Sequence, residues 1–241
     1  MTRRACDGEG LLGAFRAAAA GLEAAVDEVN ALNVFPVPDG DTGSNMMATV
    51  RAALAEAEAL GPTASAERVA SAAAFGALMG ARGNSGVITS QILRGLAEGL
   101  AGKTRFNALD LANALDQGTK AAYGAVAKPV EGTILTVQRE ASAAAVSAAE
   151  RDGSLDAVLG ATMDAAQKAV AKTPSLLAIL REAGVVDSGG QGLFRLFEEF
   201  SPPARQWSNY RKSRLQIERM FNAVFFKRQR QGFLVLLPSS Q

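Results

Sequence analysis

The sequence contains no histidine among its 241 residues and only one cysteine, Cys6. The missing histidine excludes catalytic triads built on an imidazole, histidine metal ligands and phosphohistidine chemistry. A single cysteine excludes an internal disulfide and a cysteine-based zinc cluster. These two absences remove several common classes of catalytic and metal site.

Long apolar segments are also missing. The longest run without a charged residue, residues 69–81, has 13 residues and is interrupted by Gly76 and Gly80, whereas a membrane-spanning helix needs about 20 apolar residues. Arg3 and Arg4 are not followed by the apolar segment of a signal peptide. We therefore expect a cytoplasmic protein without a membrane span, and we expect no nucleic-acid partner.

Aromatic residues make up only 6% of the chain, although 48% of it is hydrophobic, so the predicted core consists of Ala, Leu and Val. Strand signals are weak, because Val and Ile rarely alternate with polar residues over the length of a strand. Helix signals are strong, because long Ala-rich stretches carry apolar residues every three or four positions and alanine has the best helix propensity. The pattern predicts an all-α protein.

The expected helices are separated by short polar or glycine-rich loops. Thr63 or Ser65 is the expected N-cap of the third helix, with Glu67 placed for a capping box; later caps are expected at Asn107, Thr133 and Ser154. Eight or so helices in this arrangement favour an antiparallel bundle or helical barrel. The expected ranges are about 10–32, 44–61, 63 or 65–79, 85–102, 107–127, 133–150, 154–172, 175–184 and 192–200.

The C-terminal residues differ in charge from the rest of the chain. Residues 201–241 contain eight of the 25 lysines and arginines but only one of the 24 acids, Glu218. Ser201-Pro202-Pro203 predicts a boundary between a domain over residues 1–200 and a basic tail over residues 201–241. Apolar residues in the tail follow rough helical spacing, which predicts a helix that packs loosely on the body or contacts a partner or an anionic surface.

Two carboxylates, Asp39 and Asp41, lie on either side of Gly40 and just before Gly43-Ser44-Asn45, in a segment that we call the Asp39 loop (residues 39–45). Mg²⁺ prefers oxygen ligands and is usually held by one or two carboxylates together with phosphates and water. A helix start offers N–H groups to a phosphate. The segment is therefore a candidate Mg²⁺–nucleotide site, with a plain Asp-Gly turn as the alternative.

Three more loops combine glycines with polar residues: the Gly83 loop (residues 80–86), the Glu131 loop (residues 129–133) and the Asp187 loop (residues 186–192). Glycines let backbone N–H groups approach a polyphosphate closely. The Gly83 loop is neither a Walker A loop, since no Gly-Lys-Ser/Thr follows, nor a Rossmann fingerprint, since no strand precedes it. Taken singly, each loop is also compatible with an ordinary turn between helices.

Loop order predicts where these segments meet. In an up-and-down bundle, alternate loops lie at the same end. The Asp39, Gly83 and Glu131 loops follow that alternation, so we expect them to converge on one rim. The Asp187 loop joins them only if the short helix at 175–184 is a detour.

The residues of these loops resemble a known family. Residues 32–46 (Leu-Asn-Val-Phe-Pro-Val-Pro-Asp-Gly-Asp-Thr-Gly-Ser-Asn-Met) resemble the N-terminal domain of the kinase component of bacterial fatty-acid kinases, which is similar to the ATP-binding L subunit of dihydroxyacetone kinases. Residues 80–88, 129–133 and 186–193 match the same family in order and spacing, and the resemblance covers roughly residues 8–200. It implies a DhaL-like antiparallel barrel of about eight amphipathic helices, with Mg²⁺ and ATP or ADP at one rim.

The resemblance also implies roles for individual residues. The family's acidic metal ligands, the expected catalytic residues, correspond to Asp39 and Asp41. Asn33 is a candidate third ligand, because the dihydroxyacetone-kinase relatives have another Asp a few residues before these two. The expected nucleotide contacts are Ser44, Asn45, Gly83, Asn84, Ser85, Gly86, Thr133, Asp187 and Gly190.

The resemblance implies phosphoryl transfer from ATP to a fatty acid presented by a separate, DegV-like carrier protein, which would give an acyl phosphate. The Asn-Val-Phe-Pro-Val-Pro form of the first motif favours this branch. Two alternatives stay open: a dihydroxyacetone kinase L-type subunit, and a non-catalytic module that binds Mg-ATP or ADP and docks a partner. The family's full-length kinase component continues into further domains that are not matched here, so transfer by this chain alone stays open. Assembly as a homodimer is a further open alternative.

Overall fold

The computed structural model describes residues 4–61 and 63–199. In this part of the chain, ten helices and two short strands follow one another. Their bounds are β1 Ala5–Asp7, α1 Gly8–Ala24, α2 Val26–Ala31, α3 Thr42–Glu58, α4 Ala66–Met79, α5 Gly83–Gly99, β2 Arg105–Asn107, α6 Ala108–Gly124, α7 Ile134–Arg151, α8 Leu155–Leu176, α9 Ala178–Ala183 and α10 Ser188–Glu198. The predicted tail over residues 201–241 and the boundary before it lie outside the described residues.

Eight of the helices form a closed ring. Each packs against the next in the order α1, α3, α4, α5, α6, α7, α8 and α10, and α10 packs back against α1. The prediction of an all-α barrel of about eight helices is confirmed. None of the helices within residues 4–61 and 63–199 combines the length and the apolar character that a bilayer crossing requires.

Helix N-caps agree well with the sequence. Ser65 accepts a hydrogen bond from the Arg68 backbone N–H, and Asn107 forms a reciprocal capping box with Asp110. Thr133 and Ser154 cap α7 and α8, as predicted. The capping box expected with Glu67 is wrong, because the third residue after the Ser65 cap is Arg68.

Helix ends differ from the predictions by up to three residues at several places, and three differences are larger or change how the helices are divided. The first predicted helix, about 10–32, is divided at Ala25, whose backbone leaves the helical region (φ −110°, ψ 4°), and α2 continues separately. The predicted break at Thr173-Pro174 is absent, since Pro174 lies inside α8. The last helix begins at Ser188 rather than at residue 192, because Asp187 accepts a hydrogen bond from Gly190 and caps it.

Two strands, which the weak strand signals did not predict, join the start of the chain to its middle. β1 and β2 pair antiparallel, with Cys6 opposite Phe106. Each strand ends at an N-cap residue, Asp7 for α1 and Asn107 for α6. The small sheet therefore fixes the starting points of two helices of the ring.

The barrel interior is apolar and contains a cavity of about 120 Å³. The lining comes from most of the ring helices and includes Leu11, Phe15, Ile92, Leu115, Leu155 and Leu193. As the composition predicts, the surrounding core is rich in Ala, Leu and Val. The helices approach closely where both partners are small, and the Gly95 position on α5 lies directly against the backbone of Gln117 and Gly118 on α6.

An ion-pair cluster holds α2 against α10. The Arg195 guanidinium donates to both carboxylate oxygens of Glu28 (2.9 and 2.6 Å) and to Glu198 Oε2 (2.7 Å). Gln191 Nε2 also donates to Glu28 Oε1 (2.7 Å). Although burial opposes the charged form, the two carboxylates raise the pKa of Arg195 above its ordinary value. These contacts fix the short helix that leads into the Asp39 loop.

The close packing of α5 on α6 makes Gly95 a sensitive position. A Cβ at Gly95 would overlap the backbone of Gln117, so we expect Gly95→Ala to lower the free energy of unfolding by about 2 kcal/mol. Gly160, in α8, is the matched control. Apart from its chain neighbours and the nearby backbone of its own helix, no atom of the described residues lies within 4 Å of a Cβ added there. Gly160→Ala should raise that free energy by about 0.5–1 kcal/mol. Urea denaturation of both variants checks the pair, and equal effects would contradict the packing described here.

Candidate functional site

The Asp39 loop presents two carboxylates at the surface. Asp39 and Asp41 are both exposed. Asn33 lies beneath them, 7% exposed, and its Nδ2 donates to Asp39 Oδ1 at 2.6 Å. The other amide atom, Asn33 Oδ1, is buried and has no hydrogen-bond partner in the described part of the chain. Of the three residues expected as metal ligands, Asn33 and Asp39 are thus in contact, and Asp41 follows Asp39 two residues later.

This oxygen set suits a hard cation. Buried polar atoms without a partner are rare in folded proteins, and a bound ion or water is a common reason for them. Two carboxylates and an amide oxygen are ligand types that Mg²⁺ accepts. No cluster of three or more His, Cys, Asp or Glu side chains able to hold a metal occurs within residues 4–61 and 63–199, so the protein oxygens that this loop could offer a cation are those of Asp39 and Asp41, with the amide oxygen of Asn33 as a third candidate.

Asn30, at the end of α2, occupies the start of α3. Asn30 Oδ1 accepts hydrogen bonds from the backbone N–H groups of Gly43 (2.8 Å) and Ser44 (3.1 Å), and Asn30 Nδ2 donates to Ser44 Oγ (3.0 Å). The backbone N–H of Asn45 is also used, because it donates to the Asp41 carbonyl (2.8 Å). The expectation that the start of this helix offers free N–H groups to a phosphate is therefore wrong for these three residues. The exposed Ser44 keeps its hydroxyl for such a contact.

The Gly83 loop leads into a helix start with a different character. Within the described residues, the side chain of the N-cap residue Arg82 makes no hydrogen bond to α5. The first backbone N–H groups of α5 therefore lack a capping side chain. Gly83 has a left-handed backbone (φ 59°), and a Cβ there would overlap the side-chain amide of Asn45. Gly83 and Asn84 are exposed, Ser85 is partly buried and Gly86 is buried. Of the two helix starts, this one offers N–H groups to an anion.

The Glu131 loop is held by a hydrogen-bond network. Glu131 accepts from Tyr123 Oη (3.0 Å), Arg139 Nη1 (2.6 Å) and Thr136 Oγ1 (2.7 Å). Burial opposes ionisation of Glu131, but these hydrogen bonds and the Arg139 charge lower its pKa below the ordinary value. Burial and the hydrogen bond to Glu131 raise the pKa of Tyr123 to about 12. The predicted contact residue Thr133 is buried at the cap of α7.

The Asp187 loop is buried. Asp187 is 4% exposed, and its carboxylate accepts from the Gly190 backbone N–H at 2.7 Å and from the Ile134 backbone N–H. Burial raises the pKa of Asp187 to about 6, against the opposing effect of these two hydrogen bonds. Asp187 therefore joins the starts of α10 and α7. Gly190, another predicted contact, is buried beside it.

Thr42 brings the loops together. Ser85 Oγ, from the Gly83 loop, donates to the Thr42 carbonyl at 3.4 Å, and Ser188 Oγ, from the Asp187 loop, donates to Thr42 Oγ1 at 3.1 Å. The Asp187 carboxylate in turn contacts Ile134, directly after the Glu131 loop. All four loops thus lie at one end of the barrel, including the Asp187 loop, whose place was conditional.

The predicted site residues fall into two layers. Exposed or partly exposed ones are Asp39, Asp41, Ser44, Asn45, Gly83, Asn84 and Ser85; buried ones are Asn33, Gly86, Thr133, Asp187 and Gly190. Sequence reasoning missed Asn30 and Thr42. Thr42 lies inside the first motif and could have been noticed there. Asn30 accepts a hydrogen bond from the backbone N–H of Gly43, 13 residues later, and no local sequence pattern signals such a contact.

Comparison with known proteins gives a family model and several relatives. The model, described as the DAK2 domain, matches residues 36–202. Protein YloV of Bacillus subtilis is 46% identical over 200 residues, which cover 83% of this chain and 36% of that protein. An uncharacterized protein of Staphylococcus haemolyticus is 47% identical over 174 residues, 72% of this chain and 31% of that protein. The chain thus spans about a third of the length of these relatives.

A solved protein shares the fold. The dihydroxyacetone kinase of C. freundii superimposes in its native form with a TM-score of 0.54 at 20% identity. The same enzyme in complex with AMP-PNP and Mg²⁺ superimposes with a TM-score of 0.58 at 21% identity. Each match covers 79% of this chain and 33% of the other. At such low identity the match concerns the helical fold.

The buried Asp187 gives a pH-dependent contribution to stability. Its pKa is about 6 when folded and about 3.9 when unfolded, so the folded state holds the extra proton between these values. The contribution of Asp187 to the free energy of unfolding is fully present below the unfolded pKa. It decreases as the pH rises through about 6, by about 3 kcal/mol in total.

We expect the difference in unfolding free energy between the native sequence and Asp187→Asn to fall as the pH rises from 4 to 7 and then to level off. Denaturant unfolding at several pH values measures this difference. The chain has no histidine, which removes the usual competing titration near pH 6. A difference that does not vary with pH would contradict the assignment.

Proposed function

The chain belongs to the DAK2 domain family, and on that basis we propose that it is the nucleotide-binding part of a Mg²⁺-dependent kinase. The observation that supports this most strongly is the set of oxygens in the Asp39 loop. Two exposed carboxylates lie beside Asn33, whose buried amide oxygen has no hydrogen-bond partner among the described residues. The start of α5, which within the same residues no side chain of Arg82 caps, is bonded to this loop through Ser85 and Thr42. A cation site next to unused N–H groups is what a nucleoside triphosphate requires.

Roles follow from this arrangement. Asp39, Asp41 and Asn33 are the residues that would hold Mg²⁺, which when bound offsets the negative charge of the phosphates. Ser44 Oγ and the N–H groups of the Gly83 loop donate to phosphate oxygens as charge develops on them. Phosphoryl transfer needs little covalent participation from the protein, so positioning and charge compensation suffice. The buried residues Thr133, Asp187 and Gly190 would stabilise the loops of the rim rather than contact the nucleotide.

We propose a carrier-bound fatty acid as the acceptor. A carboxylate oxygen of the fatty acid would form a bond to the γ-phosphorus while the bond to ADP breaks, which yields an acyl phosphate and ADP. A DegV-like carrier protein would present the acid to the rim. The support is the Asn-Val-Phe-Pro-Val-Pro form of residues 33–38.

A dihydroxyacetone kinase L-type subunit is the second candidate. The fold match to the dihydroxyacetone kinase of C. freundii favours it. The chain has no histidine, so a covalent hold on the substrate through histidine, as in those kinases, would have to come from a partner K subunit.

Removal of the carboxylates tests the cation site. We expect Asp39→Ala and Asp41→Ala each to lower phosphoryl transfer at least about 100-fold, because charge compensation at the phosphates is lost. Asp41→Ala should change the unfolding free energy by less than about 0.5 kcal/mol. Asp39→Ala also removes the acceptor of Asn33 and should cost about 1 kcal/mol.

The exposed Asp164 of α8 is the matched control, and Asp164→Ala should change neither quantity. Transfer from Mg-ATP to the acceptor and denaturant unfolding measure these two quantities, and calorimetric titration with AMP-PNP at varied Mg²⁺ measures the cation dependence of nucleotide binding. Retained Mg²⁺-dependent binding in both carboxylate variants would refute the proposed ligands.

The acceptor is decided by a direct comparison. The chain is incubated with Mg-ATP and either a fatty acid with its carrier protein or dihydroxyacetone with a K subunit. We expect hydroxylamine-trapped acyl phosphate in the first mixture and no triose phosphate in the second. Triose phosphate alone would support the second candidate, and nucleotide binding without either product would indicate a non-catalytic module.

A further inference from the structure

We propose that Asn30 is a positioning residue that releases Asp41 from helix capping and so keeps its carboxylate available to a divalent cation. The proposal rests on the function proposed above. It concerns a residue outside the segment that the family model matches, which begins at residue 36.

Asp41 stands at the N-cap position of α3, with a backbone (φ −117°, ψ 0°) outside the extended region that capping residues usually adopt. Aspartate is among the preferred N-cap residues, because its carboxylate accepts a hydrogen bond from the second or third N–H group of the helix. In the described part of the chain, however, the Asp41 side chain makes no such bond. A carboxylate engaged in capping would have fewer oxygen lone pairs to offer a cation.

Asn30 takes the place of that cap. The second and third N–H groups of α3, those of Gly43 and Ser44, both donate to Asn30 Oδ1 at 2.8 and 3.1 Å. The approach is possible because α2 lies directly against residue 43, where a Cβ would come within 2.5 Å of the Val26 carbonyl oxygen and 3.0 Å of Asn30 Oδ1. The Glu28–Arg195 ion pair holds α2 in that place. A residue from another helix thus satisfies the helix start, and Asp41 does not need to.

The amide of Asn30 also sets the direction of the Ser44 hydroxyl. Asn30 Nδ2 donates to Ser44 Oγ at 3.0 Å, so Ser44 acts as the acceptor in that bond and its own hydrogen is left for another partner. An aspartate at position 30 would accept from Ser44 and turn its hydrogen inward. The asparagine therefore prepares both an acidic metal ligand and a hydroxyl donor for a phosphate oxygen.

A stability cycle without any ligand tests the capping exchange. In Asn30→Ala, nothing holds the first turn of α3 from α2, and Asp41 can shift its backbone to the extended conformation and cap α3, so the urea midpoint should fall only slightly. In an Asp41→Ala background the same change leaves no cap, and the fall in midpoint should be at least about twice as large. The exposed Asn113 of α6 is the matched control, and Asn113→Ala should show no coupling to Asp41. Equal effects of Asn30→Ala in both backgrounds would overturn the proposal.

A magnesium titration tests the consequence for the cation. At fixed AMP-PNP, the Mg²⁺ concentration for half-maximal binding should rise about tenfold in Asn30→Ala and stay unchanged in Asn113→Ala. Asn30→Asp retains oxygens that accept from both N–H groups, so its Mg²⁺ midpoint should not rise, while its affinity for AMP-PNP should fall.

An unchanged midpoint in Asn30→Ala, or an equal rise in Asn30→Asp, would contradict the role assigned to Asn30. If the native protein shows no Mg²⁺-dependent binding at all, the proposed function fails instead, and the ligand-free cycle still decides the capping exchange.

Discussion

The hydrogen bonds around Thr42 are the contacts on which the candidate site depends. Thr42 begins α3. Its carbonyl accepts a hydrogen bond from Ser85 of the Gly83 loop, and its hydroxyl accepts one from Ser188 of the Asp187 loop. The two serines are 43 and 146 residues away from Thr42 in the sequence. Since the Asp187 loop is tied to the start of α7, these bonds place acidic, hydroxyl and N–H groups from four loops at one end of the barrel. A ring of helices alone would not bring these groups into register.

Small residues make that ring possible. Alanine and glycine at helix contacts let neighbouring backbones approach closely, as at Gly95 and at Gly43. At Gly43 the same closeness serves the site, since it lets a side chain of α2 reach the backbone of α3. Helix packing and the geometry of the candidate site therefore depend on one property, the absence of a Cβ at particular positions. Several polar groups at the rim are then held by short side chains that bond to backbone groups, as Asn30 and Ser85 do.

Much of this arrangement could be predicted from the sequence. Alanine-rich periodicity indicated the helices, local Ser, Thr and Asn residues indicated their caps, and the loop order indicated a common rim. What could not be predicted depends on tertiary contacts: the division of the first helix at Ala25, the tolerance of Pro174 inside α8, and the pairing of Ala5–Asp7 with Arg105–Asn107. The hydrogen bonds of Asn30 to the start of α3 belong to the same class. Local patterns locate a helix start, but they do not show which distant side chain satisfies it.

The apolar cavity inside the barrel has a consequence for the response to pressure. A void of about 120 Å³ lined mainly by aliphatic and aromatic side chains, with Cys6, Thr89 and Thr162 among the others, offers water few hydrogen-bond partners, and cavities of this kind tend to stay dry. Unfolding eliminates that empty space, so the unfolded chain and its solvent occupy less volume than the folded state does. Hydrostatic compression therefore shifts the equilibrium away from the barrel.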